Sequence, residues 1–309
     1  YKEVGSRKGR VSQMKKSIFK GAATALITPA NKEGAPDLAA YKKLIDWQIA
    51  EGIDALVSCG TTGESATLSE KEYEEVLAAG AEAAGGRVPF IAGTGSNDTA
   101  KAIAHTKKAA ALGADAALVV TPYYNKATQK GLAAFFFAIA DSSPIPLILY
   151  NVPSRTGVNI QPETYALMAE HPNIVGIKEA NGDISSVART LSLVGDRLDL
   201  YSGNDDQIVP ILSLGGKGVI SVLSNPFPRE TAEITGRFFN GDIQGAAQLQ
   251  LHCLPLISAL FSEVNPIPVK AAMSALGYGE NRLRLPLTEM EEEHKEKLLA
   301  LMKKEGVLR

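Results

Sequence analysis

The chain has 309 residues, 45% of them hydrophobic and 21% charged, with a formal net charge of −2. This composition excludes a disordered or collagenous chain, and it offers no basic surface for nucleic acid or an anionic membrane. No apolar stretch reaches the ~18 uninterrupted residues a spanning helix needs, so no membrane partner is expected either.

Residues 1–13 are polar, somewhat basic and without the apolar core of a signal peptide. Met14-Lys15-Lys16 has the form of a native start, so residues 1–13 are expected to be a non-native addition. β-rich runs then recur at roughly 20–35-residue intervals, as βα units do. They cover 22–28, 55–59, 88–93, 116–121, 146–150, 174–178, 198–202 and 218–222. Helical patterns lie between them over 37–51, 69–84, 99–112, 131–140 and 162–170, and Ser69-Glu70-Lys71-Glu72 is a capping box. This alternation predicts an α/β fold, a (β/α)8 TIM barrel over 14–240. Beyond residue 240 the strand signal stops. Helical patterns over 243–261, 268–277 and 289–304 predict a C-terminal helical appendage over 241–309.

Lys178 closes the apolar run Ile174-Val175-Gly176-Ile177. Strand alternation predicts that Ile174, Gly176 and Lys178 face one way and Val175 and Ile177 the other. A strand-end lysine ordinarily snorkels to water. A buried one loses its proton more readily, and the neutral amine attacks carbonyls to form Schiff bases. The barrel adds a demand, because catalytic groups in this fold follow the C-terminal ends of strands. Thr61 and Thr62 follow Cys59; Tyr123 and Tyr124 follow Thr121; Tyr150 and Arg155 end or follow the fifth run; Gly203 and Asn204 follow Ser202. Hydroxyls, phenols, a guanidinium and an amine thus converge on one mouth.

Other motifs carry less. His105, His171, His252 and His294 have no metal-ligand spacing, so metal chemistry is not expected. Gly63-Glu64-Ser65-Ala66-Thr67 lacks the last glycine of a nucleophile elbow, and Gly93-Thr94-Gly95 lacks the third glycine of a dinucleotide fingerprint. Cys59 and Cys253 form no disulfide framework, which suits a reducing, cytoplasmic setting. Gly60-Thr61-Thr62-Gly63-Glu64 can cap a helix, cradle a small carboxylate, or do both. Tyr150 can exchange protons with a reacting carbonyl, and Arg155 can clamp a carboxylate in bidentate fashion.

The segments 60–65, Thr121-Pro122-Tyr123-Tyr124-Asn125, 150–157 and Gly176-Ile177-Lys178-Glu179-Ala180 together resemble the signatures of the dihydrodipicolinate synthase family. That family lies within the N-acetylneuraminate lyase superfamily of class I aldolases. Asn265 to Lys270 and Leu283-Arg284-Leu285-Pro286 are similar too, so the resemblance runs from about residue 18 to the C-terminus. It implies a lyase that condenses pyruvate with L-aspartate 4-semialdehyde in lysine and diaminopimelate synthesis. By resemblance, Lys178 forms the Schiff base, Tyr150 shuttles protons, and Thr61 links it to Tyr124, which arrives from a neighbouring subunit. Thr62 holds the pyruvate carboxylate, Arg155 binds the semialdehyde carboxylate, and the backbone at Gly203 and Ile220 completes the pocket. No cofactor is implied beyond the covalent imine, and the implied assembly is a homotetramer, a dimer of dimers.

Sister sialate lyases lack the Ser-Arg-Thr-Gly end of the 150–157 segment and carry Ser-Thr where Thr61-Thr62 stands, which favours the synthase. A sister pyruvate-dependent aldolase, or a catalytically silent metabolite-binding barrel, remains the alternative. Many family members bind lysine as an inhibitor through positions matching Ser65, Ala66, Asn97 and Tyr123. Some have histidines where Glu70 and Tyr73 stand and a glutamate where Lys101 stands. A cation at 101 repels lysine's ammonium groups, so weak or absent lysine inhibition is expected.

Overall fold

The computed structural model describes residues 15–308. The expectation for residues 1–13 and the start at Met14 lie outside them. Among the described residues, eight parallel strands close a barrel in sequence order. They are β1 (Gly21–Ala25), β2 (Ala55–Ser58), β3 (Phe90–Gly93), β4 (Ala116–Val120), β5 (Leu147–Asn151), β6 (Ile174–Glu179), β7 (Asp199–Ser202) and β8 (Gly218–Ser221), with β8 pairing back onto β1.

The surrounding helices are α1 (Leu38–Ala50), α2 (Glu70–Ala84), α3 (Thr99–Ala111), α4 (Gln129–Ser142), α5 (Pro153–Thr156), α6 (Pro162–Met168), α7 (Ile184–Val194), α8 (Ile208–Ser213) and α9 (Pro228–Phe239). Then come α10 (Ile243–Leu260), α11 (Ile267–Ala275) and α12 (Glu292–Lys304). The loops entering α1, α3, α4 and α7 end in Asp37, Asp98, Thr128 and Asp183, whose side chains accept from the first-turn amides. Ser69 and Glu72 cap α2 reciprocally, as the Ser-x-x-Glu spacing requires. These caps fix where each loop at the strand C-termini turns, and so shape the mouth.

Two apolar layers build the barrel. Inward-facing Ala23, Ala55, Val57, Ile91, Leu118 and Ile148 fill the interior, and outward-facing side chains meet the helices. Below, Phe19 stacks on Tyr201 with ring centroids 4.2 Å apart, and the Tyr201 hydroxyl donates to the Phe19 carbonyl at 2.8 Å. Phe19 precedes β1, so this stack closes the N-terminal end of the barrel. The outer core extends without a break from Ile208 and Phe227 to Leu256, Leu260 and Met302, so α10 and α12 share the barrel's apolar contacts.

Simple alternation along β6 requires one correction. Leu147 and Ile148 of β5 pair with Ile174 and Gly176, so the register slips by one residue there. Ile174 consequently joins Ile177 in the layer against the helices, while Lys178 keeps its inward direction beyond the slip. Arg155 sits on the one-turn helix α5 rather than in an open loop, with Pro153 at its first position and Gly157 closing it at φ +69°.

Candidate active site

Lys178 stands near the C-terminal end of β6 and is only 6% exposed. Its strand neighbours in register are Tyr150 on β5 and Tyr201 on β7. The ammonium lies 4.5 Å from the centroid of the Tyr150 ring. Gly176 makes room beneath it, since a Cβ there would come within 3.1 Å of the Asp199 carbonyl and 3.3 Å of the Tyr201 ring. Burial pulls the amine from its usual 10.5 to about 8; the charge of Asp205 opposes that shift and that of Arg155 reinforces it. Burial pushes the Tyr150 hydroxyl up, against Arg155 and a hydrogen bond with Thr61 that favour the phenolate. Tyr150 is therefore a protonated phenol beside an amine that loses its proton near neutrality.

The turn after β2 presents Thr61 and Thr62. Cys59 and Glu64 bracket it at φ 51° and 56°, and Tyr124 lies at φ 72°. Left-handed backbone in non-glycine residues is costly and concentrates where a site demands it. Thr62 is buried, and its Oγ1 accepts from Asn265 Nδ2 at 3.0 Å. Glu64, two residues on, pairs with Lys270 at 2.6 Å, and both side chains are almost fully buried. Arg155 is exposed at the rim and donates from Nη2 to the Asn265 carbonyl at 3.0 Å.

Thr61, Thr62, Tyr150, Arg155, Lys178 and Gly203 line one cavity of about 190 Å³. Gly203 is held against β6, its amide donating to the Glu179 carbonyl at 2.7 Å, and a Cβ there would lie 2.7 Å from that of Ala180. Two predicted site residues stand apart. Ile220 is buried among the interior side chains of the barrel and does not line the cavity. Tyr124 is 91% exposed, outside the cavity of its own chain. A larger cavity of about 550 Å³ opens at the opposite end of the barrel, around Lys15, Arg87 and Asn173. Lys15 donates there to three carbonyls at 2.6–2.7 Å, so its amine is fully engaged.

Sequence reasoning missed three buried groups beside the site. Asp205 accepts from the amides of Val222 and Leu223 at 3.1 and 2.9 Å, and its charge acts on Lys178. Glu179 turns away from the mouth and accepts from Tyr165 and Asn151, each at 2.9 Å. Burial raises Glu179 to about 7. Asn265 comes from the segment before α11. An Asp two residues after the singled-out Gly203 and a Glu directly after Lys178 were available signals; Asn265 had only the family resemblance. Among the described residues no group of three or more His, Cys, Asp or Glu could hold a metal ion, and no helix is long and apolar enough to cross a membrane.

The family model described as dihydrodipicolinate synthetase matches residues 18–305. The chain is 50% identical over 293 residues to the 4-hydroxy-tetrahydrodipicolinate synthase of Thermoanaerobacter sp. (strain X514), covering 94% of this chain and 98% of that one. The crystal structure of dihydrodipicolinate synthase from Thermotoga maritima is similar at TM-score 0.93 and 43% identity, covering 94% of this chain and 100% of that one. The chloride-inhibited dihydrodipicolinate synthase from Acinetobacter baumannii, solved in complex with pyruvate, is similar at TM-score 0.92 and 42% identity, covering 94% and 100%. The shared barrel and the near-complete coverage lead to one conclusion: the chain belongs to the dihydrodipicolinate synthetase family.

Proposed function

We propose that this chain condenses pyruvate with L-aspartate 4-semialdehyde through a Schiff base on Lys178, forming 4-hydroxy-tetrahydrodipicolinate. The observation that carries the reading is Lys178 itself, an amine lowered to about 8 inside a cavity that also holds Thr61, Thr62, Tyr150 and Arg155. The neutral amine attacks C2 of pyruvate, and loss of water gives the imine. Loss of a methyl proton makes C3 the carbon nucleophile, with the imine nitrogen as electron sink. C3 attacks the aldehyde carbon, whose oxygen becomes a hydroxyl. The amine of the adduct then adds to the imine carbon, closes the ring and releases Lys178. Electrons and protons balance within the two substrates, so this reading needs no further cofactor.

Tyr150 supplies and removes the protons at the imine and at the aldehyde oxygen, as a phenol kept protonated by burial can do. The Thr62 hydroxyl holds the pyruvate carboxylate, Arg155 at the rim meets the second carboxylate, and the backbone at Gly203 completes the pocket. Tyr124 extends the proton path through Thr61 by entering the site of a neighbouring subunit. Its 91% exposure outside its own cavity supports that arrangement, within a dimer of dimers.

Turnover assayed with each aldehyde in turn tests the reading. Aspartate semialdehyde should be consumed with pyruvate, and a neutral amino-sugar aldehyde should not. Turnover of the neutral aldehyde alone would favour a sister aldolase.

A further inference from the structure

Asn265 stands between two residues that the preceding reading assigns to different substrates. Its Nδ2 donates to Thr62 Oγ1, and its main-chain carbonyl accepts from Arg155 Nη2, both at 3.0 Å. The residue lines the cavity and is 6% exposed. Its remaining polar atom, Oδ1, is buried without a hydrogen-bond partner. An amide that leaves a buried acceptor unsatisfied carries a penalty that an apolar side chain avoids. Packing therefore gives no reason for an asparagine here, and the Nδ2 contact does.

A threonine hydroxyl has one proton to give and lone pairs to receive with. Because Asn265 donates, a lone pair of Thr62 is engaged and its proton is left to point into the cavity. That is the polarity a carboxylate needs. The same two segments meet again nearby, where Lys270 of α11 pairs with Glu64 at 2.6 Å. Thr62 and Asn265 are thus held face to face from both chains of contact.

We propose that Asn265 is a positioning residue: it orients the Thr62 hydroxyl as a donor to the pyruvate carboxylate and fixes Arg155 through its carbonyl. The inference rests on the reading that Thr62 holds pyruvate. The test is steady-state kinetics of the full-length enzyme with Asn265→Ala, Thr62→Val and the double variant. Asn265→Ala should raise the pyruvate KM about tenfold and change kcat less than about twofold. On the Thr62→Val background the same change should add less than about twofold, because the hydroxyl it orients is gone. Equal factors on both backgrounds would overturn the proposal, as would an unchanged pyruvate KM. Asn265→Asp keeps the side-chain volume in case the alanine variant does not fold. It takes the Thr62 proton and turns a lone pair toward the carboxylate, so its pyruvate KM should rise further, and an unchanged value also overturns the proposal. Borohydride reduction of the wild type with pyruvate separates the two readings. Labelled Lys178 with unmoved Asn265-variant kinetics defeats the positioning role alone, whereas unlabelled Lys178 defeats the Schiff-base reading and this inference with it.

Discussion

The rate of imine formation should follow the deprotonation of Lys178, and the structure sets where that occurs. Burial moves the amine from 10.5 to about 8. The neutral fraction is then about 10% at pH 7, about 50% at pH 8 and about 90% at pH 9, against about 0.03% at pH 7 for an unshifted lysine. The gain in reactive amine at pH 7 is therefore about 300-fold. Two substitutions move the profile in opposite directions. Arg155→Ala removes a charge that lowers the amine and should shift the profile to higher pH, while Asp205→Asn removes one that raises it and should shift the profile lower. The assay is the rate of borohydride-trapped adduct at subsaturating pyruvate from pH 6 to 10. A midpoint near 10.5, or profiles that shift together in both variants, would refute the electrostatic reasoning. Stability carries the same signature. The folded pKa lies below the unfolded one, so the burial penalty is complete below pH 8 and fades as pH rises toward 10.5. Lys178→Met should thus stabilise the fold by about 3 kcal/mol at pH 7, with less gain at pH 10.

Three further outcomes follow from named contacts. Arg155→Ala should raise the KM for the semialdehyde far more than that for pyruvate; equal rises would remove Arg155 from acceptor recognition. Lys270→Met leaves the Glu64 carboxylate buried and unpaired, and should cost about 3–5 kcal/mol of stability, most of it recovered in the Glu64→Leu/Lys270→Met pair. Denaturant unfolding of the three proteins decides this, and a small loss in the single variant would contradict it. Lysine should inhibit weakly or not at all, since Lys101, 3.4 Å from Glu70, sets a cation where some family members carry a glutamate. Strong inhibition by submillimolar lysine in a coupled assay would overturn that expectation.

The strands were legible because each is a short apolar run bounded by turns, and every one of the eight runs overlaps an observed strand. The α2 cap was legible because Ser69 and Glu72 are close in sequence and the capping geometry is local. The slip in β6 was not, because it arises from how Ile174 and Gly176 pair with another strand. Lys178 survived that error, as alternation counted back from the mouth reaches it without crossing the slip. The triad-like grouping of Thr61, Tyr150 and Lys178 was legible through the rule that barrel sites follow strand ends. Asn265 lies 203 residues from Thr62 and follows no strand, so no local pattern announces it. Tyr124 differs again: it is 91% exposed and outside the cavity of its own chain, so the strand-end rule that grouped it with the others does not place it there.

The most direct measurement is reduction of the wild-type enzyme with borohydride in the presence of pyruvate, followed by peptide mass mapping. One adduct per chain is expected, on the peptide containing Lys178, and none when pyruvate is omitted. An adduct on another lysine, or none at all in active enzyme, would contradict it.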